Sequence, residues 1–245
     1  DGGAGAFHAS DKVTLQDWRN YVGTLDIRQT LPGINGIGFI EPVAEADLGD
    51  YTQSVTSDGV FGLVVHPQGE KFDNFIIKYI EPAEPNIEAV GLNIGFERNR
   101  YEAAVHARDT GLATITKRIF LVQDETRSAG FLLLRPLYSP VEAPATVEAR
   151  RELFEGWVYA PFVAPRFMSE LTSTQGNTVD FSVFDGSDAD PDQLIYSSIS
   201  EERADFTPTY TVRKTFAVME QIWTVEWRST PAFEKQVRSA EPVLV

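Results

Sequence analysis

Three histidines and a run of aspartates are the residues of this chain whose types could do chemistry. His8, His66 and His106 are scattered, and none has a partner at a metal-ligand spacing such as H-E-x-x-H. We therefore expect these histidines to be structural or exposed. Cysteine is absent, so disulfides and thiolate metal sites cannot contribute.

The aspartate run is DGSDADPD, which ends at Asp192. Its carboxylates, from Asp185, Asp188, Asp190 and Asp192, could supply oxygens to Ca²⁺. An EF-hand loop needs glycine at its sixth position and an acid at its twelfth, whereas here the glycine is second. Turn chemistry favours a solvated hairpin turn.

No familiar catalytic or nucleotide-binding motif occurs in the chain. There is no G-x-S-x-G elbow, no P-loop and no G-x-G-x-x-G loop. We expect no catalytic residue, no metal and no cofactor. Acidic side chains outnumber basic ones by 36 to 21, giving a net charge of −15, which argues against a nucleic-acid partner.

One polar residue, Asn93, precedes a charged helix in GLNIGFERNRYEAAVHARDTG. Glu97 suits the first turn of this helix, and Gly111 is the residue expected just past its end. The apolar positions Tyr101, Ala104, Val105 and Ala107 form its buried stripe. Asn93 is either a turn or cap residue that accepts backbone N–H groups, or a polar group aimed into a pocket.

The elements that would position these residues are of mixed type. A capping box from Thr14 to Asp17 opens an amphipathic helix, which Pro32 and Gly33 stop. A second short helix is predicted over 164–173. Strands are predicted over 36–43, 59–67, 73–82, 113–123, 130–140, 153–162, 178–187, 210–220 and 221–230. A polar turn, 124–128, joins two of these strands. Antiparallel strands with one or two helices in each half predict an α+β fold of two modules.

A family resemblance adds to this interpretation. Four motifs follow one another along the chain. The first consists of Pro85, Asn86, Ala89, Gly91 and Asn93, and the second is the helix end Ala107–Gly111. The third is a T-x-x-x-x-L-x-Q strand (Thr116, Leu121, Gln123), and the fourth is a G-x-L-x-x-x-P-x-Y strand (Gly130, Leu132, Pro136, Tyr138). This order resembles the CHASE sensory domain. The segments AFHASDKVT, PGINGIGFIEPV and VMEQIWTVEWRSTPAF are also similar to the family, so the likeness covers most of the chain.

The resemblance implies an architecture and a location. CHASE domains lie outside the cytoplasmic membrane between two transmembrane helices, with a long N-terminal helix and two PAS-like modules. It implies that residues 1–29 are the end of a truncated N-terminal stalk and an amphipathic helix. Residues 30–140 would then form the membrane-distal module and residues 141–245 the membrane-proximal one. It also implies a homodimeric receptor in the cell inner membrane, with this domain periplasmic or extracellular. The start of the chain looks like a cut through something longer.

The resemblance also implies a ligand site. The family's distal module holds a small molecule in the plant cytokinin receptors, where an aspartate at the position of Asn93 binds the ligand. Because asparagine both donates and accepts without charge, we expect a different and less basic ligand here. Ile115 and Thr116 match pocket positions of the next strand. Phe39, Tyr79 and Leu133 are expected to form the wall from their strand order and apolar type.

The sequence leaves two hypotheses about function open. The first is a small-molecule sensor that signals to an intracellular histidine kinase, diguanylate cyclase or phosphodiesterase. The second is a module that binds a partner protein or peptide and has only a collapsed pocket. A roomy, polar-lined cavity beside Asn93 would favour the first.

Overall fold

The computed structural model describes residues 14–25, 27, 33–67, 69–122, 127–139, 143–172 and 178–240. Contacts within the chain divide it into two compact units, the first ending at Val163 and the second beginning at Ala164.

In the described residues, the first unit is a six-stranded antiparallel sheet with four α-helices. The helices are α1 (Leu15–Gly23), α2 (Leu48–Thr56), α3 (Arg98–Thr110) and α4 (Val147–Glu152). The strands are β1 (Ile37–Pro42), β2 (Phe75–Glu81), β3 (Thr114–Ile115), β4 (Ile119–Phe120), β5 (Ala129–Tyr138) and β6 (Phe154–Val163). Their order across the sheet is β2-β1-β6-β5-β3, and β4 also pairs with β5.

Helix α3 covers one face of this sheet, which we call the α3 face. Its alanines 103, 104 and 107 are buried against a core that includes Leu134 and Trp157. The Trp157 indole N–H donates to the Ala104 carbonyl at 3.0 Å, which fixes the helix on the sheet. The helix ends at Gly111, whose φ of +77° is a left-handed conformation that glycine adopts at little cost.

Helices α1 and α2 cover the opposite face, which we call the α1–α2 face. Trp18 and Val22 of α1 and Tyr51 and Val55 of α2 pack there with Phe39, Ile76, Tyr79 and Leu137 of the strands. The capping box that opens α1 is present, with the Thr14 side chain accepting from the Asp17 N–H and the Asp17 side chain accepting from the Thr14 N–H. Trp18 donates its indole N–H to the Ile37 carbonyl at 3.0 Å.

The described part of the second unit is a four-stranded antiparallel sheet with two α-helices. The helices are α5 (Ala164–Thr172) and α6 (Pro231–Ala240). The strands are β7 (Val179–Asp185), β8 (Leu194–Ser197), β9 (Thr211–Val218) and β10 (Gln221–Ser229), in the order β8-β7-β10-β9. Strand β9 forms one edge and is exposed along nearly its whole length.

Most predicted elements are confirmed. The α+β class is confirmed, as are α1, α3, α5 and strands β1, β2, β5, β6, β7, β9 and β10. The predicted turn 124–128 and the predicted stop at Pro32 lie largely or wholly outside the described residues.

Some sequence predictions were wrong. Residues 59–67 form no strand, because Phe61 and Val64 point into solvent and only His66 makes a ladder-type bridge, to Leu92. The single strand predicted over 113–123 is two short ones, β3 and β4. Strand β6, assigned from the sequence to the second half, lies at the centre of the first sheet between β1 and β5.

None of the helices in the described part of the chain is both long and apolar enough to cross a bilayer.

Candidate functional site

Strand register places four of the six predicted site residues on one face of the first sheet. Phe39 lies opposite Tyr79, and Ile115 lies opposite Leu133. Residues directly opposite each other in an antiparallel pair point to the same face. Following the register from β1 through Val158 and Ala160 of β6 to Leu133 shows that all four share the α1–α2 face.

Phe39 and Tyr79 form the aromatic centre of this face. Their ring centroids are 5.9 Å apart, and the ring of Trp18 lies 5.8 Å from that of Tyr79. Phe39 is 5% exposed and Tyr79 is 2% exposed. Helix α1 therefore closes directly over the predicted pocket wall.

A β-bulge adds a charged residue to the same face. The register shifts between Phe39 and Ile40, so that Tyr79 and Ile77 have partners on β1 while Lys78 has none. A bulge of this kind turns the extra side chain toward the face of its neighbour. The Lys78 ammonium lies 2.8 Å from Asp58 Oδ2 and 3.2 Å from Glu41 Oε2, and its side chain is 9% exposed.

The tyrosines complete a polar cluster around this lysine. Tyr51 donates its hydroxyl to Glu41 Oε2 at 3.0 Å. The hydroxyl of Tyr79 is buried and has no hydrogen-bond partner among the described residues. Burial raises the pKa of Tyr79, and the charges of Glu41 and Asp58 raise it further. The hydroxyl stays protonated, so it can both donate and accept one hydrogen bond.

Thr116 lies at the far edge of the same sheet. Its N–H donates to the Leu132 carbonyl at 2.9 Å, and its hydroxyl accepts from the Leu132 N–H at 3.0 Å. Both of these bonds extend the pairing of β3 with β5. Thr116 thus holds β3, the edge strand that contains Ile115, against β5.

Asn93 lies beyond the opposite edge, beside β2. Its Oδ1 accepts from the Phe75 N–H at 3.0 Å and from the Gly95 N–H at 2.9 Å, and its Nδ2 donates to Asn74 Oδ1 at 3.1 Å. It is 1% exposed and caps the 3₁₀ helix Ile94–Phe96. The cap interpretation of Asn93 is therefore correct, and its role toward a ligand stays a prediction.

Asn93 and Thr116 are far apart. Four strand spacings of about 4.8 Å separate β2 from β3, so roughly 19 Å of sheet lies between the two edges. The structure brings Phe39 next to Tyr79 and Ile115 next to Leu133, but it does not bring Asn93 next to Ile115 or Thr116. A ligand beside Asn93 would therefore lie at the opposite edge of the sheet from Ile115 and Thr116.

A chain of hydrogen bonds leads from Asn93 to the surface. Asn74 Nδ2 donates to Glu45 Oε2 at 2.7 Å, and the Lys71 ammonium lies 3.3 Å from the same oxygen. Glu45 lines a surface cavity of about 590 Å³ together with Leu48, Gly49, Thr52, Leu63, Val64 and Val65. Asn93 is thus two hydrogen bonds away from this cavity and does not line it.

The described residues contain no cluster of three or more His, Cys, Asp or Glu side chains that could hold a metal ion. In the aspartate run, Asp190 accepts from the Asp192 N–H at 3.0 Å and caps the 3₁₀ helix Pro191–Gln193. This geometry agrees with the turn interpretation of that segment.

Sequence reasoning missed the polar part of the site, which consists of Lys78, Asp58, Glu41 and Tyr51. A usable signal was present in FIIKYIE, where one lysine interrupts an otherwise apolar strand. A lysine at such a place needs a buried carboxylate or an exit to solvent. The sequence does not say which carboxylates meet it, because they come from β1 and from the turn after α2.

Comparison with known proteins agrees with the resemblance in the sequence. The model of the CHASE domain family matches residues 11–196. No curated protein matches the chain.

Solved structures that are similar to it include the following two. Methyl-accepting chemotaxis protein X is 13% identical, with a TM-score of 0.47, over 92% of this chain and 84% of that chain. The periplasmic sensory domain of the Campylobacter jejuni chemoreceptor Tlp1 is 8% identical, with a TM-score of 0.44, over 94% of this chain and 84% of that chain.

Proposed function

Since this chain belongs to the CHASE domain family of extracellular sensory domains in signalling receptors, we propose that its first unit binds a small molecule and that binding is transmitted across the membrane. The receptor would be anchored in the inner membrane by flanking transmembrane helices and would act as a homodimer. Its intracellular output would be a histidine kinase, a diguanylate cyclase or a phosphodiesterase. The first unit would hold the membrane-distal PAS-like module and the second unit the proximal one.

The observation that carries this proposal is the Tyr79 hydroxyl on the α1–α2 face. A buried hydroxyl without a partner costs about 1–3 kcal/mol, a cost that a bound ligand with a matching polar group removes. The apolar wall of Phe39 and the rings around it would hold the rest of the ligand. In this proposal α1 or α2 moves to admit the ligand, since both helices cover the site.

The polar cluster sets the expected ligand class. Lys78 is already paired with Asp58 and Glu41, so it offers no free charge to a strong anion. The Tyr79 hydroxyl is neutral and can donate or accept. These features favour a small, uncharged, partly apolar molecule with one hydroxyl, carbonyl or amide group, in line with the less basic ligand expected from Asn93.

The test is a thermal-shift screen of small metabolites against three proteins. A ligand that binds only the folded state raises the unfolding temperature. We expect ligands to raise the unfolding temperature of the wild type and of the control Tyr101→Phe, which loses a hydroxyl on the α3 side. The same ligands should not raise the unfolding temperature of Tyr79→Phe. Hits that shift Tyr79→Phe as much as the wild type would place the ligand elsewhere. Without ligand, Tyr79→Phe should be neutral or slightly stabilising, because its hydroxyl has no bond to lose.

The second candidate, a protein- or peptide-binding module, is favoured by an apolar groove in the second unit. The groove has a volume of about 590 Å³ and contains Phe216 and Val212, which are 44% and 52% exposed. Exposed apolar patches of this kind mark interaction sites. This alternative predicts that no metabolite shifts the wild type, and that amphipathic peptides change the fluorescence of Trp227, which also lines the groove.

A further inference from the structure

On the α3 face of the first sheet, away from the proposed ligand site, we propose that Arg100 and Tyr159 form a buried site for a small monovalent anion of the size of chloride. The site would be a constitutive part of the folded first unit. It involves none of the residues proposed to bind the sensed molecule.

Arg100 supplies the positive charge. It is the third residue of α3, and it is only 7% exposed. Its Nη2 donates to the Phe120 carbonyl at 2.6 Å, whereas its Nε is buried and meets no acceptor in the part of the chain that the structure describes. The guanidinium is a donor group without an acceptor atom, so the buried Nε–H can be paired only by an added acceptor.

No described carboxylate neutralises this charge by direct contact. Glu97 is the nearest acid along the chain, but its two oxygens accept from the Asn99 N–H at 3.0 Å and the Arg100 N–H at 2.9 Å. That carboxylate serves as the N-cap of α3. A buried cation without a contacting anion costs several kcal/mol, and a bound anion removes much of this cost.

Tyr159 supplies the second donor. It is 2% exposed, and its hydroxyl has no hydrogen-bond partner within the described ranges. Trp157, two residues earlier on β6, is bonded to Ala104, which lies one helical turn after Arg100. The two unpartnered groups thus come from neighbouring positions of the same helix and strand.

The two groups also act on each other electrostatically. Burial lowers the pKa of Arg100, and burial raises the pKa of Tyr159 while the Arg100 charge works against that rise. Both groups remain protonated donors at neutral pH. Two buried donors, one of them on a cationic guanidinium, lie among apolar core side chains such as Ile80 and Ala103 and suit a small anion.

The test is thermal unfolding in increasing chloride at constant ionic strength, with gluconate as the replacement anion. We expect a saturable rise of the unfolding temperature, by roughly 3–6 °C at ten times the dissociation constant. Bromide should act like chloride and should give an anomalous-scattering peak between the two side chains in a crystal. Unfolding temperatures that do not depend on chloride would mean that only water fills the site and would overturn the proposal.

Variants separate this site from general salt effects. Tyr159→Phe and Arg100→Met should each lose the chloride dependence. Arg98→Met is the control: it removes an equal charge from the exposed side of α3, where Arg98 pairs with Glu102 at 3.4 Å. This variant should keep the chloride dependence of the unfolding temperature. If Arg100→Met does not fold, Tyr159→Phe decides the question. An unchanged chloride response in Tyr159→Phe would refute the site, whatever ligand the α1–α2 face binds.

Discussion

Replacing Asn93 separates its structural role from a role in binding. Asn93→Ala removes one acceptor that serves two backbone N–H groups, those of Phe75 and Gly95, and one donor to Asn74. Loss of a cap costs about 0.5–2 kcal/mol, and a buried N–H left without a partner costs about 1–3 kcal/mol. Since these terms overlap, we expect the free energy of unfolding to fall by about 2–4 kcal/mol.

Asn93→Asp probes the same site at nearly constant size. The carboxylate can still accept from both backbone N–H groups, but it faces Asn74 Oδ1 at 3.1 Å with no proton to donate. Rotating the Asn74 amide would repair this contact and break the 2.7 Å bond to Glu45. With a buried charge added, we expect a loss of about 1–3 kcal/mol at neutral pH, and less where the new acid is protonated.

The assay is urea unfolding of the free proteins, followed by the ligand-induced thermal shift of each variant. Asn99→Ala is a matched control, because Asn99 makes one side-chain bond to a backbone carbonyl, at 3.0 Å to Arg118, and should cost about 1 kcal/mol. A loss below about 1 kcal/mol in Asn93→Ala, combined with complete loss of the ligand shift, would refute the cap argument. It would then support the ligand role that the family resemblance implies.

Three further predictions concern other parts of the chain. Lys78→Met should destabilise the first unit by about 3–5 kcal/mol in chemical unfolding, since it leaves the buried Asp58 and the partly buried Glu41 without their cation. The exposed Arg98→Met should cost less than about 1 kcal/mol. The Glu234 carboxylate accepts hydrogen bonds from Ser229 and Thr209, which lower its pKa to about 2. Its contribution to the free energy of unfolding should therefore be complete above about pH 4.3 and should disappear as the pH falls toward 2. In Glu234→Gln this part of the pH dependence of the unfolding temperature should be absent, and a steeper acid loss than in the wild type would contradict the argument. Gly91→Ala should destabilise the protein by at least about 2 kcal/mol, because φ is +86° and the new Cβ would lie 2.2 Å from the Val64 carbonyl oxygen. In the control Gly49→Ala, in α2, the new Cβ meets open space, so this change should be neutral or stabilising by up to about 1 kcal/mol.

The sequence predicted the local elements well because their signals are local. The α3 helix carries its own stop at Gly111, and the α1 helix carries its own capping box. The apolar stripe of α3 was also correct in outline, since Tyr101 and Val105 pack partly buried beside Ala104 and Ala107. What periodicity could not show is that Arg100 is buried beside this stripe.

The candidate site was harder to predict because it depends on pairing between distant strands. Phe39, Tyr79, Leu133 and Ile115 were chosen by strand order and resemblance, and register places them on one face. The bulge that turns Lys78 toward that face has no signature in the sequence of β2 alone. Asn93 differs from these residues. Its place in the motif resembles a ligand contact, but its side chain makes hydrogen bonds within the protein.

The central place of β6 in the first sheet has a consequence for how the protein is made. β1 and β5 have no strand between them until β6 arrives, and β6 begins more than a hundred residues after β1 ends. During synthesis the ribosome must therefore release the chain through Val163 before this sheet can close. Until then the nascent protein exposes two unpaired, apolar strand edges, which are templates for aggregation. A gene fragment that stops near residue 140 should yield insoluble protein, and slow translation across residues 140–163 should increase the need for chaperones.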